Sequence, residues 1–187
     1  MFAIYDTAVR HLDRLAPALL PTLARAAFAA VLLFYFWNSA LTKLGDGPLG
    51  FLTPSDSAYF QIFPRAVEAA GYDPSMLGIL HRAVATAGLW AEFLLPLLIV
   101  IGLLTRLASL GMIGFTLVQS VTDVVGHGVM GADLGRWFDG ASDALLFDQR
   151  TLWVVLLAVP VFMGGGPLSA DRLIARRGSP PRGAVHS

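Results

Sequence analysis

The chain has 187 residues, of which 56% are apolar and 14% are charged. An average soluble domain is about 45–50% apolar and about 25% charged, so this composition disfavours a soluble enzyme. Thirteen Lys and Arg residues balance thirteen Asp and Glu residues, which leaves no basic field to hold DNA or RNA. The chain has no cysteine, which excludes disulfides, thiolate nucleophiles and Cys-ligated iron–sulfur centres. Any redox role must therefore use a borrowed cofactor, and we expect none to be covalently bound.

Four apolar stretches, each of seventeen residues or more, contain at most one charged residue apiece. Such stretches fit a bilayer core about 30 Å thick at a rise of 1.5 Å per residue. We therefore predict an all-α protein, an integral membrane four-helix bundle that forms one domain over residues 1–177. Its membrane spans are expected at about 26–44, 80–104, 107–126 and 148–166.

Eight of the thirteen Lys and Arg residues lie in the N-terminal segment, the turn between the second and third spans, and the C-terminal tail. They are Arg10, Arg14, Arg25, Arg106, Arg172, Arg176, Arg177 and Arg182. Because positively charged loops resist translocation, we expect both termini to be cytoplasmic. The tail at 178–187 is rich in glycine and proline, and we expect it to be disordered on the cytoplasmic side.

Before the first span, apolar residues recur at helical spacing opposite charged ones. This pattern predicts a short N-terminal interfacial helix that lies on the cytoplasmic face of the membrane. We expect Pro17 and Pro21 to break the chain between this helix and the first span.

The first outer loop contains its own helix start signals. Thr53, Pro54 and Asp56 stand in the order of an N-cap, an N1 proline and an N3 carboxylate, and Pro64 interrupts the apolar residues that follow. We predict a helical cap here, which covers the outer mouth of the bundle. Asp73 and the proline after it predict a second helix that runs on into the membrane.

Glu92 and Gln119 are polar residues inside predicted spans. Glu92 lies about 15 Å deep if its span begins near Arg82. A charge at this depth costs on the order of 3 kcal/mol, so Glu92 should face the bundle and be either paired or protonated. One interpretation is a carboxylate that handles protons. The other is a neutral structural carboxyl whose candidate partners are Ser39, Thr86, Thr116 and Gln119.

Asp123 and His127 stand four residues apart near the outer end of the third span, so a regular helix would place them on one face. They could form an ion pair that orients His127 toward a polar ligand, or an interfacial pair that satisfies only itself and water. A metal pair would need a further ligand, and His81 is the only other histidine on this side; we expect no metal site.

Lys43 and Arg82 should both lie at the outer interface. They could be snorkelling anchors, or they could converge with Asp123 and His127 on the outer mouth of the bundle. A quinone head group has two carbonyl acceptors and an apolar ring, so it would need hydrogen-bond donors and flat walls. The candidate residues for such a site are Lys43, Arg82, Asp123, His127, Asn38, Trp37 and Trp90.

Several short motifs occur in a consistent order. Residues 92–106 read E-F-L-L-P-L-L-I-V-I-G-L-L-T-R, and residues 164–173 read G-G-G-P-L-S-A-D-R-L. With N-S-A-L-T-K at 38–43 and the His-Gly pair at 127–128, they make the chain resemble the DoxX family of small four-helix membrane proteins over about residues 25–174. The resemblance implies a bacterial inner-membrane protein. For some relatives it implies the membrane subunit of a quinone-linked sulfur or thiol oxidation system.

Two functions follow from these expectations. The first is a membrane subunit of a quinone-linked redox system, which binds quinone and passes electrons from a separate redox partner protein without redox residues of its own. The second is a non-catalytic membrane scaffold that recruits or stabilises a partner protein. A transporter function is a weaker hypothesis, since four helices with one buried carboxylate provide few elements for an alternating-access mechanism. Apart from membrane lipid, the sequence names no partner and no oligomeric state.

Overall fold

Eight helices and their connecting turns make up residues 2–178, the part of the chain that the computed structural model describes. No strand forms within these residues, so the all-α prediction is confirmed. The helices are α1 (Phe2–Val31), α2 (Leu33–Lys43), α3 (Asp56–Ile62), α4 (Pro64–Ala69), α5 (Ile79–Ile101), α6 (Thr105–Val121), α7 (Arg150–Met163) and α8 (Ala170–Gly178). Apart from Gly178, which ends α8, the tail predicted at 178–187 lies outside the described residues.

Four helical segments are long and apolar enough to cross a membrane. They are Ala3–Val31, Ile79–Ile101, Thr105–Gly126 and Leu145–Met163. The last two include π-helical turns, Thr122–Gly126 after α6 and Leu145–Gln149 before α7. The 23 residues of α5 alone span about 34 Å, which exceeds a bilayer core of about 30 Å.

The N-terminal helix differs from the short interfacial helix that the sequence predicts. α1 runs unbroken through Pro17 and Pro21, and a backbone bond from Phe36 to Leu32 carries the helix on into α2. Proline is tolerated within a membrane helix because neighbouring helices, side chains and local adjustments satisfy the backbone groups that it frees. Pro21 is also buried against the loop at Gly166. The resulting rod is about 60 Å long at 1.5 Å per residue, and only its part from Pro21 onward has buried side chains.

The core of the bundle is built around three side chains of this rod, Phe28, Leu32 and Phe36, each at most 2% exposed. They pack against Ile99 of α5, Ala108 and Met112 of α6, and Leu157 of α7. Because lipid tails are as apolar as these side chains, close packing rather than the hydrophobic effect holds the helices together.

One end of the bundle, here the Arg25 end, is closed by bonds between helix termini. The buried guanidinium of Arg25 donates to the carbonyl of Ile99 (2.8 Å) and to that of Val100 at the C-terminus of α5, and to those of Gly165 and Leu168 (2.7 Å each) beyond α7. Ile99 and Val100 belong to the last turn of α5, where carbonyls lack the full set of helical partners, and Gly165 and Leu168 lie in the loop between α7 and α8, so Arg25 ties these two segments together.

The motifs at 92–106 and 164–173 meet at the same end. Asp171 accepts bonds from the amides of Leu104 (2.8 Å) and Thr105 (3.0 Å) at the start of α6. Gly102 ends α5 at φ +72°, and a Cβ atom there would lie 2.6 Å from the Cβ of Ser169. The motifs therefore form a structural joint between α5, α6 and α8.

The opposite end, here the Lys43 end, is covered by the predicted cap. α3 begins at Asp56, so its N-cap is Ser55 and not Thr53 as expected; it ends at Ile62, and Pro64 is the first residue of α4. The helix expected from Asp73 is only a 3₁₀ turn, Pro74–Met76. The side chain of Asp73 accepts a hydrogen bond from the backbone amide of Ser75, which closes a tight local turn. The continuous helix α5 starts after Gly78.

Candidate functional site

A cavity of about 450 Å³ lies between α2, α5 and α6, beneath α3. Small residues form part of its wall: Ala87 and Gly88 on α5, and Gly111 and Gly114 on α6. Gly111 and Gly114 are exposed, so the cavity opens through the side of the bundle between these two helices. In a bilayer this opening faces the lipid tails.

A buried ion pair closes the inner end of the cavity. Nζ of Lys43 lies 3.0 Å from Oε2 and 3.1 Å from Oε1 of Glu92, and the two side chains are 5% and 3% exposed. The hydroxyl of Ser39 donates to Oε1 of Glu92 at 3.1 Å. Of the partners considered from sequence, only Ser39 bonds to Glu92.

Lys43 is the partner that the sequence missed. As the last residue of α2 it could reach water, which is why snorkelling was one interpretation. Instead its side chain points back toward the preceding turn, as helical side chains do, and donates to the hydroxyl of Ser39 at 2.7 Å. The Lys43–Ser39–Glu92 network therefore joins α2 to α5 at the floor of the cavity.

Asp123 pairs with Arg150 rather than with His127. Nη2 of Arg150, at the start of α7, donates to Oδ2 of Asp123, and Nη1 donates to the hydroxyl of Ser120 at 2.9 Å. The ion pair expected between Asp123 and His127 is absent from the described residues. The reason is local: the amide of His127 bonds to the carbonyl of Thr122, so the turn is π-helical and the regular four-residue spacing no longer applies.

His127 instead fastens the cap. Its Nε2 lies 2.9 Å from the carbonyl oxygen of Gln61 in α3. One residue earlier, a Cβ atom at Gly126 would lie 2.9 Å from Cγ of Pro64, so the start of α4 sits directly on the π-helical turn. The cap, the π-helical turn and the cavity are therefore mechanically connected.

Gln119 lines the middle of the cavity. Its Nε2 donates to the hydroxyl of Tyr35 at 3.3 Å, whereas its Oε1 is buried and has no hydrogen-bond partner among residues 2–178. A buried polar atom without a partner costs about 1–3 kcal/mol, so it marks a place where a ligand atom would be stabilised.

Four of the residues predicted for the site lie elsewhere. Arg82 and Asn38 are exposed and do not line the cavity. Trp37 donates to the carbonyl of Phe93 at 3.2 Å and so joins α2 to α5, whereas Trp90 packs edge-on against Phe51 in the loop between α2 and α3; neither ring lines the cavity. Lys43, Asp123 and His127 do line it, together with Glu92 and Gln119.

The charges around the cavity cancel in pairs, Lys43 with Glu92 and Arg150 with Asp123. An ionised ligand would meet no free counter-charge from these pairs, whereas a neutral ligand with a few polar atoms would keep both pairs intact. The mixture of small apolar walls and a few convergent polar groups is typical of a small-molecule site.

Residues 20–122, more than half of the chain, match the family model described as DoxX. No curated protein and no solved structure matches the chain. The matched segment contains α2, α5 and α6, and therefore all three helices that form the cavity.

Proposed function

Because this chain belongs to the DoxX family, we propose that it is the membrane subunit of a quinone-linked redox system and that its cavity holds the quinone head group. The observation that carries this proposal is the lateral opening of a cavity of about 450 Å³ between α5 and α6, whose walls combine small and apolar residues with a few polar groups. A quinone combines a neutral polar ring with a long apolar tail. The ring suits the charge-balanced interior, and the tail can leave through the opening into the lipid.

The size of the cavity supports a ring rather than a whole lipid. Ligand pockets usually measure about 300–1,000 Å³, and this cavity lies toward the lower part of that range. A substituted ring with the first part of its tail fits such a volume, and the rest of the tail would lie among the lipids.

The electrons would come from a separate protein. The chain has no cysteine, and its composition gives no other residue that cycles between redox states as thiols do. We place the protein in the inner membrane of a bacterium with the Lys43 end away from the cytoplasm, since most Arg and Lys residues outside the spans lie toward the Arg25 end. The partner would then meet the cap at the Lys43 end.

Gly114 allows a direct test, because a Cβ atom placed there meets no atom within 4 Å. Gly114→Leu should fill the cavity without straining α6, and both Leu and Ala are better helix formers than Gly by roughly 1 kcal/mol. Gly114→Ala is the matched control. We expect quinone extracted from the purified Leu variant to fall at least several-fold, and that from the Ala variant to stay near the wild-type amount.

The measurement is the molar ratio of quinone to folded protein after purification from membranes and solvent extraction. Ala83→Leu adds the same bulk to α5 at an exposed position outside the cavity and should retain quinone. Equal quinone in wild type and Gly114→Leu would overturn this site.

One observation favours the scaffold function as a second candidate. The first part of α1, residues 3–20, has no buried side chain and lies at the Arg25 end. A helix so placed could hold a cytoplasmic partner. Removing residues 3–14 should then abolish co-purification of that partner while the quinone content stays the same. Loss of quinone with no loss of a partner would contradict the scaffold function.

A further inference from the structure

Most of the hydrogen-bond donors of the cavity are already used within the protein. The ammonium of Lys43 is surrounded by four acceptors, both carboxylate oxygens of Glu92 and the carbonyl and hydroxyl oxygens of Ser39, at 2.7 to 3.2 Å. An ammonium has three protons, so none is left for a ligand. The amide nitrogen of Gln61 likewise donates to Thr42 at 3.0 Å and to Ser57 at 2.8 Å.

The N–H donor of His127 is also used within the protein. A carbonyl oxygen can only accept, so the bond to Gln61 requires the proton on Nε2 of His127. In the neutral ring Nδ1 then carries no proton and is an acceptor. Among the described residues that line the cavity, two side-chain donors are used by no hydrogen bond within the chain: the hydroxyl of Thr122 and the second N–H of the Gln119 amide.

The acceptors left free in the cavity, Oε1 of Gln119, Oδ1 of Asp123 and Nδ1 of His127, outnumber its two free donors. Oε1 of Gln119 is buried without a partner, and Oδ1 of Asp123 forms no hydrogen bond within residues 2–178, since Arg150 takes only Oδ2. A quinone offers two carbonyl oxygens, which are acceptors as well, and would leave Gln119 unsatisfied. Its reduced form, the quinol, carries a hydroxyl at each of these positions and can donate.

We infer that the cavity binds the quinol in preference to the quinone, with Oε1 of Gln119 accepting a hydrogen bond from one ring hydroxyl. This inference rests on the proposed function and adds the redox state of the ligand to it. A site that binds the reduced form more tightly raises the reduction potential of the bound couple. For a two-electron couple, a tenfold preference corresponds to about 30 mV, which favours electron flow from the partner into the bound quinone.

Three ligands with the same tail separate the possibilities: decylhydroquinone, decylbenzoquinone and the dimethyl ether of decylhydroquinone, which neither donates nor oxidises. Binding to the purified wild-type protein in lipid nanodiscs is measured calorimetrically without oxygen. We expect decylhydroquinone to bind about tenfold more tightly than either of the others, the effect of one or two net hydrogen bonds.

The same experiment distinguishes the two proposals. Binding of all three ligands with equal affinity, or tighter binding of decylbenzoquinone, would overturn the preference for quinol and leave the quinone site standing. Absence of binding by all three would overturn the site itself.

Gln119→Met keeps the length of the side chain and removes the acceptor. It should reduce the affinity for decylhydroquinone about tenfold and leave that for the dimethyl ether unchanged. Gln119→Glu retains an acceptor and should keep the preference. Gln149→Met makes the same chemical change outside the cavity and should behave as wild type. A preference that survives in Gln119→Met would overturn the role of Gln119.

Discussion

Asp171 caps a helix to which it does not belong: its Oδ2 accepts the amide of Thr105 at 3.0 Å and the hydroxyl of Thr105 at 2.7 Å. The residue that precedes α6 is Leu104, at φ +48°, whose side chain cannot accept a hydrogen bond. Asp171 of α8 therefore takes the place of an N-cap residue for α6.

This bond predicts a particular pH dependence. Burial raises the pKa of Asp171, but the hydrogen bonds from Thr105 and Leu104 and the charge of Arg25 outweigh it, so the pKa lies below the ordinary value. A lowered folded-state pKa stabilises the protein above the unfolded pKa of about 3.9. That contribution is lost as the pH falls through the lower folded-state value. Thermal unfolding of wild type in detergent should therefore show this loss only below about pH 4.

Asp171→Asn should lower the free energy of unfolding at pH 7 by about 1 kcal/mol, the usual effect of losing a cap. It should also remove part of the decrease in stability that wild type shows at acid pH. Asp13→Asn, at an exposed position of α1, is the control. If Asp171→Asn and Asp13→Asn showed the same stability and the same pH profile, the hydrogen bonds of Asp171 would not contribute to the stability of the protein.

The Lys43–Glu92 pair predicts a strong coupling between two substitutions. Lys43→Met and Glu92→Met each leave one charge buried and unpaired, and should each cost about 3–5 kcal/mol. The double variant removes both charges and should recover most of that loss. The free energy of unfolding is measured in mixed micelles for wild type, the two single variants and the double variant. Additive losses would show that the two side chains do not act as a pair.

Arg25 should not be replaceable by lysine. Its guanidinium donates to four carbonyl oxygens in two directions, a geometry that the single ammonium of lysine cannot reproduce. We expect Arg25→Lys to cost about 2–3 kcal/mol in unfolding free energy. Arg14→Lys, at an exposed position of α1, should change it by less than about 0.5 kcal/mol. Equal stability of the two variants would contradict the role of Arg25.

Gly102 should tolerate no side chain. Its φ of +72° disfavours an L residue, and a Cβ atom there would lie 2.6 Å from Ser169 and 2.7 Å from the guanidinium of Arg25. Gly102→Ala should cost at least about 2 kcal/mol from the strained backbone and the clash. Gly114→Ala, which meets open space, is the matched control and should be neutral or stabilising. Thermal unfolding of both variants tests the difference, and a neutral Gly102→Ala would contradict this packing.

The helical bundle and its cap could be predicted because apolar runs and helix start signals are local in sequence. Pro64 illustrates this: it was expected to interrupt the cap helix, and α3 ends at Ile62, although the second helix that begins at Pro64 was not predicted. Pro17 and Pro21 misled the prediction because their effect depends on what surrounds the helix. In lipid the helix persists through residues that would end it in water.

The polar contacts were harder to predict because they depend on which helices meet. Nothing in the sequence near Arg150 connects it with Asp123, to which α7 brings it. Arg25 was counted as a topological charge, whereas its acceptors lie far along the chain beyond Ile99. His127 could not be placed because nothing in the local sequence reveals a π-helical turn.

The hydrogen bonds of Arg25 also determine when the bundle can finish folding during synthesis of the chain. Arg25 leaves the ribosome with the first helix, but its acceptors follow much later: Ile99 and Val100 end α5, and Gly165 and Leu168 come after α7. Until those carbonyls are made, the guanidinium must stay beside water or lipid phosphates at the membrane surface, because its transfer into hydrocarbon without them is costly. The first helix can therefore enter the bilayer early but can take its final depth and contacts only after the last span has been inserted. A nascent chain that stops before Gly165 would leave this arginine without half of its partners and open to membrane quality control.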